Sequence, residues 1–153
     1  WLLGSLAGVK ANDVAATVPV VLLGLAPLIL LRWRIGVLSL GDDEARALGV
    51  EVSRLRAIVI VAATLVTASV VAISGVIGWV GLMVPHMAGL MVGPRFDRLL
   101  PAAILLGAAF MIAVDTLART AARIEIPLGV LTAVIGGPIF VWLLARNRRA
   151  FLP

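Results

Sequence analysis

Cysteine is absent from the 153 residues, and histidine occurs once, as His86. Without thiols neither a disulfide framework nor a thiolate metal site can form. A single imidazole with no nearby carboxylate cannot complete a protein metal site either, which leaves His86 a packing or helix-bonding role. No Gly-rich loop ends in Lys-Ser or Lys-Thr, so nucleotide is not bound by that route. The apolar stretches also lack the paired acids, the Glu with several histidines or the Ser with a base that an intramembrane protease needs. Nothing in the chain reads as catalytic. It opens on Trp1-Leu2-Leu3-Gly4, with no methionine and no basic region before an apolar stretch. The expectation is therefore a fragment without a signal peptide.

Charge is scarce as well, at 14% of residues, while 62% are hydrophobic and the mean hydropathy is +1.15. A soluble domain of this size with that composition would precipitate, so the chain reads as an integral membrane protein. Its basic side is twelve arginines and Lys10, for a net charge of +5. In a soluble protein that balance suggests nucleic acid; in a membrane protein basic residues mark the cytoplasmic loops. Membrane lipid is the expected surrounding, and no nucleic acid partner is expected.

The predicted fold class is all-α, a polytopic transmembrane helical bundle of about five spans. Residues 14–31 carry no charge and suffice for one span of a hydrocarbon layer about 30 Å thick, with kinks expected at Pro19 and Pro27. From Ala57 to Pro94 there is no Asp, Glu, Lys or Arg over 38 residues. At 1.5 Å per residue that is roughly 57 Å, hence two spans, 57–73 and 76–92, with a break near Ile73-Ser74-Gly75. Gly75, Gly78 and Gly81 would let the second approach a neighbour closely, and Pro85 should interrupt it. Residues 99–118 and 128–145 complete the set, the last broken at Gly136-Gly137-Pro138.

One polar stretch interrupts this pattern, Leu38 to Val50. Gly41 or Asp42 can cap a short helix there, Asp43 and Glu44 place negative charge in its first turn, and Arg46 lies near its end. Gly49 suits a left-handed stop. Ala45, Leu48 and Val50 leave an apolar side on a helix too short to cross a membrane, so it wants a partner outside the lipid. Arginine counting sets its side. With the loop 32–56 cytoplasmic, ten of the thirteen basic residues fall on that face, including Arg32, Arg34, Arg54, Arg56 and the C-terminal Arg146, Arg148 and Arg149. Lys10, Arg119 and Arg123 fall outside.

Asp115 and Arg119 stand four apart near the end of the fourth span, where ionisable groups are costly unless paired or functional. Either they form a neutralising structural pair, or Asp115 holds Arg119 at the external rim as a cation for an acidic partner. Arg123 could share that second role.

Taken together, the chain resembles the FecCD family of bacterial ABC importer permeases, the type II importers of iron-siderophore, haem and cobalamin. The resemblance covers Trp1 to Arg149 and rests on several ordered motifs. These are Leu40-Gly41-Asp42-Asp43-Glu44-Ala45-Arg46-Ala47-Leu48-Gly49-Val50, Gly78-Trp79-Val80-Gly81-Leu82-Met83-Val84-Pro85-His86, and Leu99-Leu100-Pro101. Asp115-Thr116-Leu117-Ala118-Arg119, Ile126-Pro127-Leu128-Gly129-Val130-Leu131-Thr132-Ala133 and Gly136-Gly137-Pro138-Ile139-Phe140 follow.

The resemblance implies that residues 1–153 are the C-terminal half of a ten-span permease, spans six to ten. It implies a bacterial or archaeal cell membrane, a second permease chain, an ABC ATPase dimer that holds ATP and Mg, and a periplasmic or lipoprotein substrate-binding protein. It assigns no cofactor to this chain. It matches Gly41 to Val50 with the cytoplasmic coupling helices, about 41–55, that dock on the ATPase, and Arg119 with an arginine that meets the binding protein. Gly78, Gly81, Pro85, Gly136, Gly137 and Pro138 are the expected packing and gating positions. Two rival readings remain, an ATP-independent channel or secondary transporter and a non-transporting assembly subunit.

Overall fold

The computed structural model describes residues 4–120 and 127–147, and among them every regular element is an α-helix. Among the described residues three helices are long and apolar enough to cross a membrane: α1 (Ala11–Leu30), α4 (Val52–Ser74) and α6 (Phe96–Thr120). Between the first two lie α2 (Arg32–Leu38) and α3 (Asp42–Ala47). Two further apolar helices complete the order, α5 (Val80–Val92) and α7 (Leu128–Asn147). The chain divides into two compact units, one of Val9–Ile73 with Arg95–Arg98, the other of Trp1–Gly8, Ser74–Pro94 and Leu99–Pro153.

In the first unit α1 begins where Asp13 turns back on the chain, its Oδ2 accepting from the Lys10 N–H at 3.0 Å. That contact satisfies a donor at a helix start, and the acid suits the positive end of the helix. Pro19 and Pro27 lie inside α1 without ending it. The α1 and α4 backbones come close at Gly24, where a Cβ would stand 2.6 Å from Val66 Cγ2 and 3.1 Å from the Ala62 carbonyl oxygen. Only glycine permits that approach, the small-residue packing that membrane helices use in place of a hydrophobic drive. The buried core gathers around α3, from Val37, Ala45, Val50, Val52 and Leu55, with Leu31, Ile35, Leu38 and Val59 against it.

In the second unit α5 packs on α7 through Met83, Val84 and Leu143, with Phe110 and Ile139 at the edge. A second cluster, Val114, Ala118 and Leu128, takes in Leu6 and Ile77. The segment at Gly4 and Ser5 is pinned by two main-chain bonds: Ser5 N–H donates to the Ser74 carbonyl and Leu128 N–H to the Gly4 carbonyl, both at 2.9 Å. The expected break at residues 73–75 is present, since α4 ends at Ser74. The next helix starts at Val80 rather than at residue 76. Gly75 (φ +70°) and Trp79 (φ +68°) hold left-handed backbone there, which a right-handed helix cannot include. Pro85 and Pro138 sit inside continuous helices, so the interruptions expected at both are not seen as helix ends.

Much of the apolar surface faces outward, including Leu23, Leu30, Val61, Met91, Leu105 and Ile112. For helices of this hydropathy, lipid or another protein supplies the missing cover.

Candidate functional site

The polar stretch around α3 folds much as its residues dictate. Gly41 precedes the helix at φ +119°, a conformation closed to side-chain-bearing residues, and Ala45 N–H donates to its carbonyl at 3.0 Å. Asp42, Asp43 and Glu44 fill the first turn and Arg46 the last. At the far end Gly49 stands at φ +78°. Its N–H donates to the Arg46 carbonyl at 2.9 Å, and the Val50 N–H to the Ala45 carbonyl at 3.0 Å. Those two bonds make a Schellman stop, completed by the apolar contact that such stops carry, here Val50 with Ala45.

The apolar side is split. Ala45 is fully buried and Val50 nearly so, whereas Leu48 is 56% exposed, and Leu40 is similarly open. The helix therefore spends part of its apolar side on its own chain and keeps Leu48 outward. Polar contacts hold it as well: Arg46 Nη1 reaches Asp43 Oδ1 at 3.5 Å, and Arg56 Nη2 donates to Asp42 Oδ1 at 2.9 Å. The second contact ties α3 to the first turns of α4. It has no local signal, because fourteen residues separate the partners, and no sequence pattern singles out Arg56 for that role.

On α6, Arg119 Nε donates to Asp115 Oδ2 at 2.8 Å, so the predicted pairing at spacing four forms. The pair is partly exposed and lies beside Ser5, Leu6 and Leu128 in a narrow cleft. Arg123 lies outside the described residues.

The glycines divide. A Cβ at Gly136 would stand 3.0 Å from Trp79 Cβ, and the Trp79 ring lies 6.2 Å from Phe140 in a tilted arrangement. Gly136 thus permits α7 to approach the strained Trp79. Gly78, Gly81 and Gly137 have nothing within 4 Å of a built Cβ, so among the described residues they make no close approach. His86 presents its ring edge-on to Phe140 at 6.4 Å, and its buried Nε2 has no hydrogen-bond partner among the described residues. No cluster of three His, Cys, Asp or Glu that could hold a metal occurs among the described residues.

Residues 1–146 match the model of the FecCD transport family. The chain belongs to that family. Over 148 residues it is 41% identical to the "Probable iron chelatin transport system permease protein" of Helicobacter pylori, covering 97% of this chain and 45% of that one. It is 45% identical over 148 residues to the cobalamin import system permease protein BtuC of Halobacterium salinarum, covering 97% of this chain and 40% of that one. A solved chain described as an inward-facing conformation of a metal-chelate type ABC transporter superposes with a TM-score of 0.91 at 42% identity, over 95% of this chain and 47% of the other.

The FecCD chain described here thus spans under half the length of the relatives it matches. It is a multi-pass helical membrane protein of a permease family, with α1, α4 and α6 apolar and long enough to cross.

Proposed function

We propose that this FecCD chain is the C-terminal half of a permease subunit in an ATP-driven importer of a metal chelate: an iron-siderophore, haem or cobalamin. The observation that carries the reading is α3. It is bounded at both ends by glycines of positive φ, tied to α4 through Asp42 and Arg56, and it keeps Leu48 and a charged face outward. A rigid element joined to a membrane-crossing helix is what transmission of motion requires, since a flexible loop would absorb the displacement.

In this reading Gly41, Asp42, Asp43, Glu44, Ala45, Arg46, Leu48 and Gly49 form the ATPase-coupling element. ATP and Mg belong to the ATPase dimer, and no catalytic step occurs in this chain. The loop 32–56 and the C-terminus face the cytoplasm of a bacterial or archaeal cell, because that placement gathers the arginines on the inner side. Arg119, with Arg123, receives the substrate-binding protein on the outer face. The packing positions Gly78, Gly81, Pro85, Gly136, Gly137 and Pro138 let helices of this chain and of a second permease chain tilt past one another. Named relatives that transport iron chelatin and cobalamin support the chelate class.

The test is a pull-down of the ATPase with the full-length permease in detergent. Deleting Asp43-Glu44-Ala45-Arg46, or reversing their charges, is expected to abolish association while leaving the helical content intact. Unchanged association would sink the coupling role.

A further inference from the structure

In the first unit a cavity of about 570 Å³ opens between the end of α1 and the start of α4, lined among others by Leu31, Arg34, Glu51, Arg54, Leu55 and Ile58. A separate, wholly different groove of about 330 Å³ runs along the same two helices, past Gly24, Pro27, Ala57, Val61 and Ala62. Ile58 lines both. One is bounded by guanidinium groups and the other by hydrocarbon alone, and they meet at a single side chain.

Their depth follows from the helices. The close approach at Gly24 to Ala62 and Val66 sets α1 beside α4, and Leu31, just past the end of α1, lines the same cavity as Leu55 and Ile58 in the first turns of α4. Arg32 and Arg34 follow the apolar run of α1, and Arg54 and Arg56 precede that of α4. Trp33 between the first two is exposed, and tryptophan is enriched at membrane interfaces. The charged cavity therefore lies at headgroup level and the groove within the hydrocarbon.

The charges in the cavity are available. Among the described residues Arg34 makes no ion pair, and the pair of Arg54 with Glu51 is loose, at 3.7 Å, with both side chains about four-fifths exposed. Two guanidiniums against one carboxylate leave a net positive rim. A guanidinium matches a phosphate diester by its planar fork, while an ammonium attracts it only as a point charge.

We infer that the Arg34–Arg54 cavity and the Ile58 groove together form a binding site for one anionic phospholipid, phosphate in the cavity and an acyl chain in the groove. A soluble protein could reach the cavity but not the groove, which lies within the hydrocarbon. The inference rests on the membrane-spanning fold and not on the importer reading.

The experiment uses the full-length permease in nanodiscs of phosphatidylcholine, with or without phosphatidylglycerol, and counts retained lipid by native mass spectrometry. One phosphatidylglycerol is expected to be kept in preference to phosphatidylcholine. Arg34→Gln and Arg54→Gln should each lower that preference about fivefold, the weight of one basic side chain near an anionic surface. Arg34→Lys should keep most of it. Ala57→Phe fills the groove without touching charge and should also release the lipid, with circular dichroism and monodispersity reporting that each variant is folded. Unchanged retention in the arginine and the groove variants overturns the site. So does equal, Arg34-dependent binding of free glycerol phosphate in phosphatidylcholine discs, which would mean an anion site without a lipid. Displacement of the phosphatidylglycerol by the ATPase, with Ala57→Phe silent, assigns the cavity to protein and overturns it too.

Discussion

Arg56 Nη2 donates to Asp42 Oδ1 at 2.9 Å, joining the first residue of a six-residue helix to the first turns of a 23-residue one. Both side chains are about half exposed, so solvent screens the attraction, and pairs of this kind contribute roughly 0–1 kcal/mol. Their value lies in direction. The contact joins α3 to α4, and under the proposed coupling role a change there is expected to alter transmission more than stability.

The first prediction follows. Asp42→Asn and Arg56→Gln should leave thermal unfolding in detergent within a few degrees of the parent and reduce substrate-stimulated ATPase activity of the assembled transporter severalfold. The exchanged pair, Asp42→Arg with Arg56→Asp, should recover part of that activity. A double-mutant cycle reads the coupling directly, and additive losses with no recovery would assign both residues to separate roles.

The stop at Gly49 sets a second test. Its φ of +78° costs about 1–2 kcal/mol for most side chains but little for asparagine, and nothing lies within 4 Å of a built Cβ. Gly49→Ala is therefore expected to destabilise by backbone strain alone, and Gly49→Asn to be nearly neutral. Thermal unfolding and ATPase pull-down should fall together for alanine and hold for asparagine. Equal effects of the two would point to a steric partner instead.

The ends of α3 are legible in the sequence because each is marked locally: a glycine before, acids in the first turn, a glycine after. The long apolar runs announce α1, α4 and α6 for the same reason, since burial in lipid leaves its trace on every residue. What stays hidden is what depends on distant partners. A six-residue helix does not reveal which of Ala45, Leu48 and Val50 turns inward; α2 and α4 decide it, and Leu48 is left out. The seven residues of α2 carry no side-chain cap to mark a helix. The extended stretch before Val80 reads as helical because its residues are apolar, yet the backbone at Trp79 is set by packing against Gly136 and Phe140.

That packing separates two adjacent glycines. A methyl at Gly136 meets Trp79 Cβ at 3.0 Å, tighter than almost any real contact, whereas Gly137 faces open space. Trp79 already holds a strained φ and has little room to yield. Gly136→Val should cost on the order of 1–3 kcal/mol, the usual range for overpacking. Gly137→Val should cost less than half of that. Thermal unfolding of the two variants in one detergent decides it, and equal loss would mean that the Trp79 contact does not constrain α7.

The ion pair on α6 separates positioning from charge. Asp115 holds Arg119 by a 2.8 Å bond from Nε, and the two side chains stay partly exposed. If Arg119 receives an acidic group of a binding protein, reversal of its charge removes the attraction and adds repulsion. Arg119→Glu should then weaken association at least tenfold at low ionic strength. Asp115→Asn keeps the cation and loses only its alignment, so a loss of two- to fivefold is expected. Raising salt should weaken the parent complex and shrink the difference between parent and Arg119→Glu, because a surface pair is screened over about a Debye length. Surface plasmon resonance across a salt series measures all three. A salt-independent affinity that Arg119→Glu leaves unchanged would confine the pair to neutralising its own helix, where two opposite charges four residues apart already suffice to make the end of α6 tolerable near lipid.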